Sequence, residues 1–233
     1  MERQVDFQLE KLKTKLMKMC SLVDEQVDFA YRTFTEENAE LAKIVIERDA
    51  KVDKYDLKID KICQKIIALN QPVAMDLRVI MSALTINTNL ERIGDLTVNI
   101  SQSFLQNKKK PEFISRTKYD EMVQISKEMV KNAIDAYMQN DAKLAQKVIQ
   151  SDDLLDKCNF DNQKILIDIM KEDSNNIDLA VELINVSRDV ERIGDHATNI
   201  AEDVFFIVEA QMIKHKYEKF FFAEENEPDE DDV

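Results

Sequence analysis

NLERIGDLTVNI (89–100) returns one hundred residues later as DVERIGDHATNI (189–200). The shared pentapeptide ERIGD holds Gly94 and Gly194, the only two glycines in 233 residues. A second pair lies upstream: LAKIVIERDAKVDK (41–54) resembles LAQKVIQSDDLLDK (144–157) at an offset of 103. Two segments repeated in the same order mark a duplicated supersecondary unit. A small deletion near the second turn accounts for the difference in offset.

The division falls near Lys108-Lys109-Lys110-Pro111, a basic run read as a solvated linker. Residues 1–107 form one unit, residues 111–222 the other, and residues 223–233 an acidic tail expected to be disordered. In the first segment Val5, Leu9, Leu12, Leu16, Met19, Val23, Val27 and Ala30 alternate by three and four, the seam of an amphipathic helix. A second helix is expected over 38–69, ended at Asn70-Gln71-Pro72. Pro72 can open a third helix that runs to about 106. The second unit repeats this over about 112–139, 141–171 and 175–213. The predicted fold is all-α: two tandem pseudo-symmetric bundles of three helices each.

Composition agrees. Two glycines and three prolines are too few for a turn-rich sheet protein. Charged residues at 33% and hydrophobic residues at 44% suit long amphipathic helices. The net charge is −14, and the last ten residues, EENEPDEDDV, hold seven acids and no base. Without a basic stripe, nucleic-acid binding lacks its main source of affinity. Cys20, Cys63 and Cys158 are isolated and read as reduced thiols. The N-terminus starts on an amphipathic pattern rather than a signal peptide, and no apolar run is long enough to span a bilayer. A cytoplasmic protein is expected.

On a helical wheel with Glu91 at zero, Val79, Ile86, Leu90, Ile93, Thr97, Ile100 and Phe104 fall at roughly 180–260°, the core stripe. Glu91, Asp95 and Asn99 fall opposite. Val186, Val190, Ile193, Ala197, Ile200 and Val204 repeat the core stripe, and Glu191, Asp195, Asn199 and Asp203 repeat the acidic face. The first halves of these helices are apolar on the acidic side too, through Val73, Leu77, Ile80 and Leu84, and through Ile177, Ala180, Val181 and Ile184. Those halves are expected to be buried all round, between the bundles or in a dimer. Acids stacked four residues apart repel by a few tenths of a kcal/mol, and a mid-helix glycine costs about 1 kcal/mol. Both features point to a function.

Counting residues from the turns brings the acids level across antiparallel helices. Asp53 stands level with Glu91 and Asp49 with Asp95; Asp156 stands level with Glu191 and Asp152 with Asp195. Carboxylates without lysine or histidine among them form hard oxygen sites suited to Mg²⁺, Ca²⁺, Mn²⁺ or iron. The alternative is a solvated acidic face neutralised by Arg92, Arg188 and Arg192. Arg92 and Arg192 are read as intrahelical ion-pair partners, and His196 as a surface or interface residue. The glycines either clear bulk beside the acids or let a neighbouring helix approach.

LERIGDLTVNI, VERIGDHATNIAEDVFFIVEA and QPVAMDLRVIMSAL (71–84) together resemble the PhoU family of phosphate-transport accessory and regulatory proteins. The resemblance covers about residues 5–215. It implies a non-catalytic regulator that links the ATPase of a phosphate ABC transporter to a sensor histidine kinase. Such a regulator represses the starvation response and restrains uptake. It also implies a frequent homodimer that meets the inner face of the cell membrane only through partners. Some members carry multinuclear clusters on E-x-x-x-D motifs, with iron or zinc foremost and manganese, magnesium, calcium or nickel as alternatives. The motif maps onto Glu91/Asp95 and Glu191/Asp195, with Asn99, Asn199 and Asp203 following. Asp49, Asp53, Asp152 and Asp156 join them from the neighbouring helices. Ser103 stands where the second copy has Asp203, so the first cluster is expected to have fewer ligands. The competing reading is a metal-binding helical scaffold or a carboxylate metalloenzyme unrelated to phosphate signalling. A di-iron oxidase wants Glu-x-x-His pairs, and this chain has none.

Overall fold

The computed structural model describes residues 4–211. The acidic tail, Phe220–Phe222 and the KHKYEKFFF stretch lie outside the described residues. Six long helices follow in order: α1 (Gln4–Thr35), α2 (Ala39–Asn70), α3 (Met75–Asn107), α4 (Tyr119–Gln139), α5 (Ala142–Glu172) and α6 (Ile177–Glu209). Helices α1, α2 and α3 pack on one another, as do α4, α5 and α6. The two triplets join chiefly along α3 and α6, with a lesser contact between α1 and α4. No described helix is long and apolar enough to cross a membrane.

The duplication is visible in how the helices start. Asn38 caps α2 by accepting from the Glu40 and Leu41 amides at 3.1 and 3.3 Å. Asp141 caps α5 by accepting from the Lys143 and Leu144 amides at 2.9 and 3.0 Å. Each cap satisfies two of the four amides that a helix start leaves without partners. The stops use left-handed residues: Gln71, Lys108, Asn140 and Ala210 all have positive φ, and none is glycine. Glycine would suit those positions best. Both glycines sit mid-helix with ordinary helical backbone instead, so their purpose is packing rather than conformation.

Several boundaries differ from the sequence expectation, α6 among them, which spans Ile177–Glu209 rather than 175–213. Residues Glu112–Arg116 form a 3-10 turn, and α4 begins only at Tyr119. Its start is anchored from outside, by the Lys118 amide donating to Asn162 Oδ1 of α5 at 2.8 Å. Pro72 does not open α3, which begins at Met75 after Ala74 turns through φ 46°, ψ −111°.

The predicted core stripes are buried apart from Val79, which is half-buried near the start of α3. Ile86, Leu90, Ile93, Ile100 and Phe104 line the core from α3, and Val186, Val190, Ile193, Ala197, Ile200 and Val204 do so from α6. The apolar second faces are only half covered. Ile80 and Ala180 are buried, while Val73 and Leu77 near the α2–α3 turn, and Ile177 and Val181 at the start of α6, remain exposed. Polar groups pin the halves together across this core. Tyr31 Oη shares a hydrogen bond with Ser126 Oγ at 2.9 Å, and Ser126 Oγ donates to the Val190 carbonyl at 3.1 Å. Lys127 of α4 pairs with Asp28 of α1. Ser103 and Asn107 of α3 both donate to Glu182 of α6.

Candidate functional site

The acids line up between α2 and α3, and again between α5 and α6. Each bundle crosses its signature helix against the repeated aspartate helix at the glycine. A Cβ on Gly94 would sit 3.4 Å from Val52 Cγ1 and 3.3 Å from Asp49 Oδ1 of α2. A Cβ on Gly194 would sit 2.3 Å from Leu155 Cδ2 of α5, an overlap. Val52 and Leu155 are equivalent under the offset of 103. The glycines therefore let the aspartate helices come close, and the first also clears space beside a carboxylate.

In the second half Asp156, Glu191 and Asp195 each offer an oxygen within 4.8 Å of the others. Asp152 lies beside them, accepting from Thr198 Oγ1 at 3.1 Å. Desolvation, then the charge of Asp195, pushes the Asp152 carboxyl up to about 6. Desolvation, then Glu191 and Asp156, pushes Asp195 up to about 6, against the opposing charge of Arg192. Glu191 and Asp156 are raised as well, each first by desolvation and then by neighbouring carboxylates. Arg188 and Arg192 lower Glu191 in part, but desolvation and like charge outweigh them.

In the first half Asp49 is pushed up to about 6 by desolvation and by Asp53 and Asp95. Glu91 is raised by desolvation and by Asp95, with Asp56 and Asp53 adding to it. The acids converge less tightly here because basic and amide groups hold them. Arg92 reaches Asp95 at 3.1 Å and Glu91 at 3.4 Å, the intrahelical pairing expected of it. Asn87 Nδ2 donates to Asp56 Oδ1 at 2.6 Å and to Asp60 Oδ1 at 3.2 Å.

Asn99, Asn199 and Asp203 lie further along the two signature helices. Asn99 lines an open polar cleft between α3 and α6 with Gln102, Ser103, Asp178 and Glu182. Asn199 is half-buried. Asp203 is buried, two helical turns beyond Asp195. His196 sits at the α3–α6 interface, with Nδ1 2.9 Å from Asn89 Oδ1.

Sequence reasoning missed Asp56, Asp60 and Asn87. Its signal was present: Asp49, Asp53, Asp56 and Asp60 recur by four, three and four along α2, which is one helical face. The equivalent run in α5 is Asp152, Asp156, Asn159 and Gln163, so the acidic stripe is longer in the first half. Gln26 of α1 was missed too, because nothing in its local sequence marks it.

The donors at both centres are oxygen atoms of carboxylates. They fit a hard divalent or trivalent cation, as do the raised carboxyls.

The geometry defines a class: a duplicated helical bundle with one carboxylate centre in each half. The PhoU domain pattern matches residues 16–104 and again 119–204. The chain belongs to the PhoU family. It is 37% identical over 212 residues to the phosphate-specific transport system accessory protein PhoU homolog of Aquifex aeolicus, covering 91% of this chain and 96% of that one. It is 35% identical over 225 residues to the homolog of Pseudomonas putida, covering 95% and 87%. The crystal structure of PhoU from Pseudomonas aeruginosa superposes with a TM-score of 0.86 at 33% identity, over 89% of this chain and all of that one. The phosphate transport system regulatory protein PhoU from Streptococcus pneumoniae shares the fold, with a TM-score of 0.81 at 24% identity over 90% of this chain and 99% of that one.

Proposed function

We propose that this chain is a non-catalytic accessory regulator of phosphate transport whose two carboxylate centres hold metal ions. It links the ATPase of a phosphate ABC transporter to a sensor histidine kinase, restraining uptake and the starvation response when phosphate is plentiful. It works as a cytoplasmic homodimer that meets the membrane through those partners. Curated relatives named as phosphate-specific transport accessory proteins support the role. The observation that carries the metal reading is the convergence of Asp156, Glu191 and Asp195 to within 4.8 Å, with Asp195 pushed up to about 6.

Asp156 of α5 with Glu191 and Asp195 of α6 would hold a cation, which would supply the positive charge these crowded acids lack. The chain's own residues set what that charge would do. Glu191 and Asp195 sit on α6, whose opposite edge meets α3 through His196 and Asn89. Glu91 and Asp95 sit on α3, the other side of the same seam. A cation at either centre would thus brace a helix that forms one side of the seam between the halves.

The test is to replace the native copy with a chain carrying E91Q, D95N, E191Q and D195N. Phosphate uptake and a starvation-response reporter are then measured in phosphate-rich medium. The expected result is high uptake and a reporter switched on, as in a strain lacking the protein. Wild-type regulation in the quadruple variant would refute the metal-based reading.

A further inference from the structure

We propose that the stretch MIKHKYEKFFF (212–222) docks on the α2–α3 face of its own chain, its aromatic residues on Leu77 and Met81 and its lysines at Asp56 and Asp60.

The face is apolar and uncovered. Leu69 and Val73 flank the α2–α3 turn and are 66% and 70% exposed; Leu77 and Met81, early in α3, are 40% and 50% exposed. Leu77, Met81, Leu84, Thr88, Glu91 and Asp95 follow one another by four, three, four, three and four, which is one helix face. The apolar row therefore leads into the acids of the first centre. Asp56 and Asp60 border it from α2, held by Asn87 of α3. Desolvation, then the charge of Asp60, raises Asp56, so the pair favours a positive neighbour.

The occupant follows from the course of the chain. The Arg78 guanidinium lies over the Phe206 ring at 5.8 Å, which brings the end of α6 beside the start of α3. From Ala210 the chain can carry Phe220 about 33 Å. Met81 is about one helical turn from Arg78, and Asn87 about 14 Å along the helix. Residues 212–222 hold Ile213, Tyr217 and three phenylalanines, with three lysines against one acid, in a chain of net charge −14. Aromatic rings and ammonium groups complement an apolar row bordered by carboxylates.

The second half offers no equal seat. Ile177 and Val181 are exposed at the corresponding places on α6. They lie roughly 44–50 Å back from Ala210 along the helix, and even Phe222 reaches only about 40 Å. Asn159 and Gln163 stand where the first half has Asp56 and Asp60.

The experiment measures thiol labelling of Met81→Cys in the full chain, with the native segment and with Phe220→Ser, Phe221→Ser and Phe222→Ser. The native Cys20, Cys63 and Cys158 are buried and give little background. A tethered segment acts at a roughly millimolar effective concentration, so a seat of about 0.1 mM affinity is filled most of the time. Labelling is therefore expected to be about tenfold slower beside the native segment than beside the serine variant. Asp56→Asn with Asp60→Asn should speed it, and Val181→Cys should label equally in both backgrounds. Circular dichroism checks the fold of each variant, and Leu77→Cys supplies the same reading if Met81→Cys does not fold. An equal rate at Met81→Cys in both backgrounds overturns the proposal. So does protection that grows with protein concentration, which would assign the face to a second copy, or equal slowing at Val181→Cys, which would show no preference for the first half. An unchanged rate with Asp56→Asn and Asp60→Asn overturns the lysine contacts.

Discussion

The two carboxylate centres share a plan and differ in how their acids are held. In the second, three carboxylates converge, and Arg188 and Arg192 oppose their repulsion without outweighing it. In the first, Arg92 already grips Glu91 and Asp95, Asn87 grips Asp56 and Asp60, and Gln26 hydrogen-bonds Asp49. The second is a compact triad; the first is a longer trough. A duplicated unit can thus preserve a motif and still yield two unlike sites, because the floor comes from helices outside the motif.

The largest effect that would break this comparison comes from the ligands. E191Q with D195N should weaken cation binding at the second centre on the order of 100-fold and spare the first, and E91Q with D95N should do the converse. Metal titration of the two variants reads this directly. Equal losses at both centres would mean that they do not act separately.

Acidity should follow. Asp49, Asp152 and Asp195 carry pKa values of about 6 in the fold, above the usual carboxylate value of 3.8. Protons therefore compete with cations, and affinity at both centres should drop about tenfold between pH 7 and pH 5. The metal-free chain should show the opposite trend. Groups whose pKa is raised by folding stabilise the fold below about pH 4, and that stabilisation disappears as pH rises through 6. Melting temperature of the metal-free protein measured from pH 4 to 7 should fall across this range. A flat profile would contradict the crowding of the acids.

The glycines sharpen the contrast by a smaller amount. Gly194→Ala places a Cβ 2.3 Å from Leu155 Cδ2 in a fully buried site and should cost roughly 1–2 kcal/mol, overpacking outweighing the better helix propensity of alanine. Gly94→Ala meets its nearest atoms at 3.3 and 3.4 Å. There the propensity gain of about 1 kcal/mol should offset most of the crowding, while the displaced Asp49 weakens the first centre. Thermal unfolding and Mn²⁺ titration separate the two outcomes.

Much of this was legible in the sequence. The repeat gave six helices and their order, and the count from each turn placed Asp49 with Asp95 and Asp152 with Asp195. The electrostatics reflect both pairings. Helix spacing along α2 also contained Asp56 and Asp60, although only the acids nearest the signature level were read. The contact of Gln26 with Asp49 was beyond reach, since it depends on how α1 rolls against α2 and α3, and no local pattern encodes that. The exposure of Val73 and Leu77 was hidden for a similar reason: periodicity tells which face is apolar, not whether this chain alone covers it. Asn99 was assigned to the acidic face from its spacing. It lines the polar cleft between α3 and α6.

One measurement bears most directly on the central claim. The chain is purified without an affinity metal column, and its metal content is compared with that of D95N/D195N by elemental analysis, with helicity checked by circular dichroism. The expected result is several equivalents of iron, zinc or manganese per chain, lost in the variant while helicity holds. Equal metal content in the two proteins, or none in either, would contradict the assignment of Asp95 and Asp195 as the centres of two metal sites.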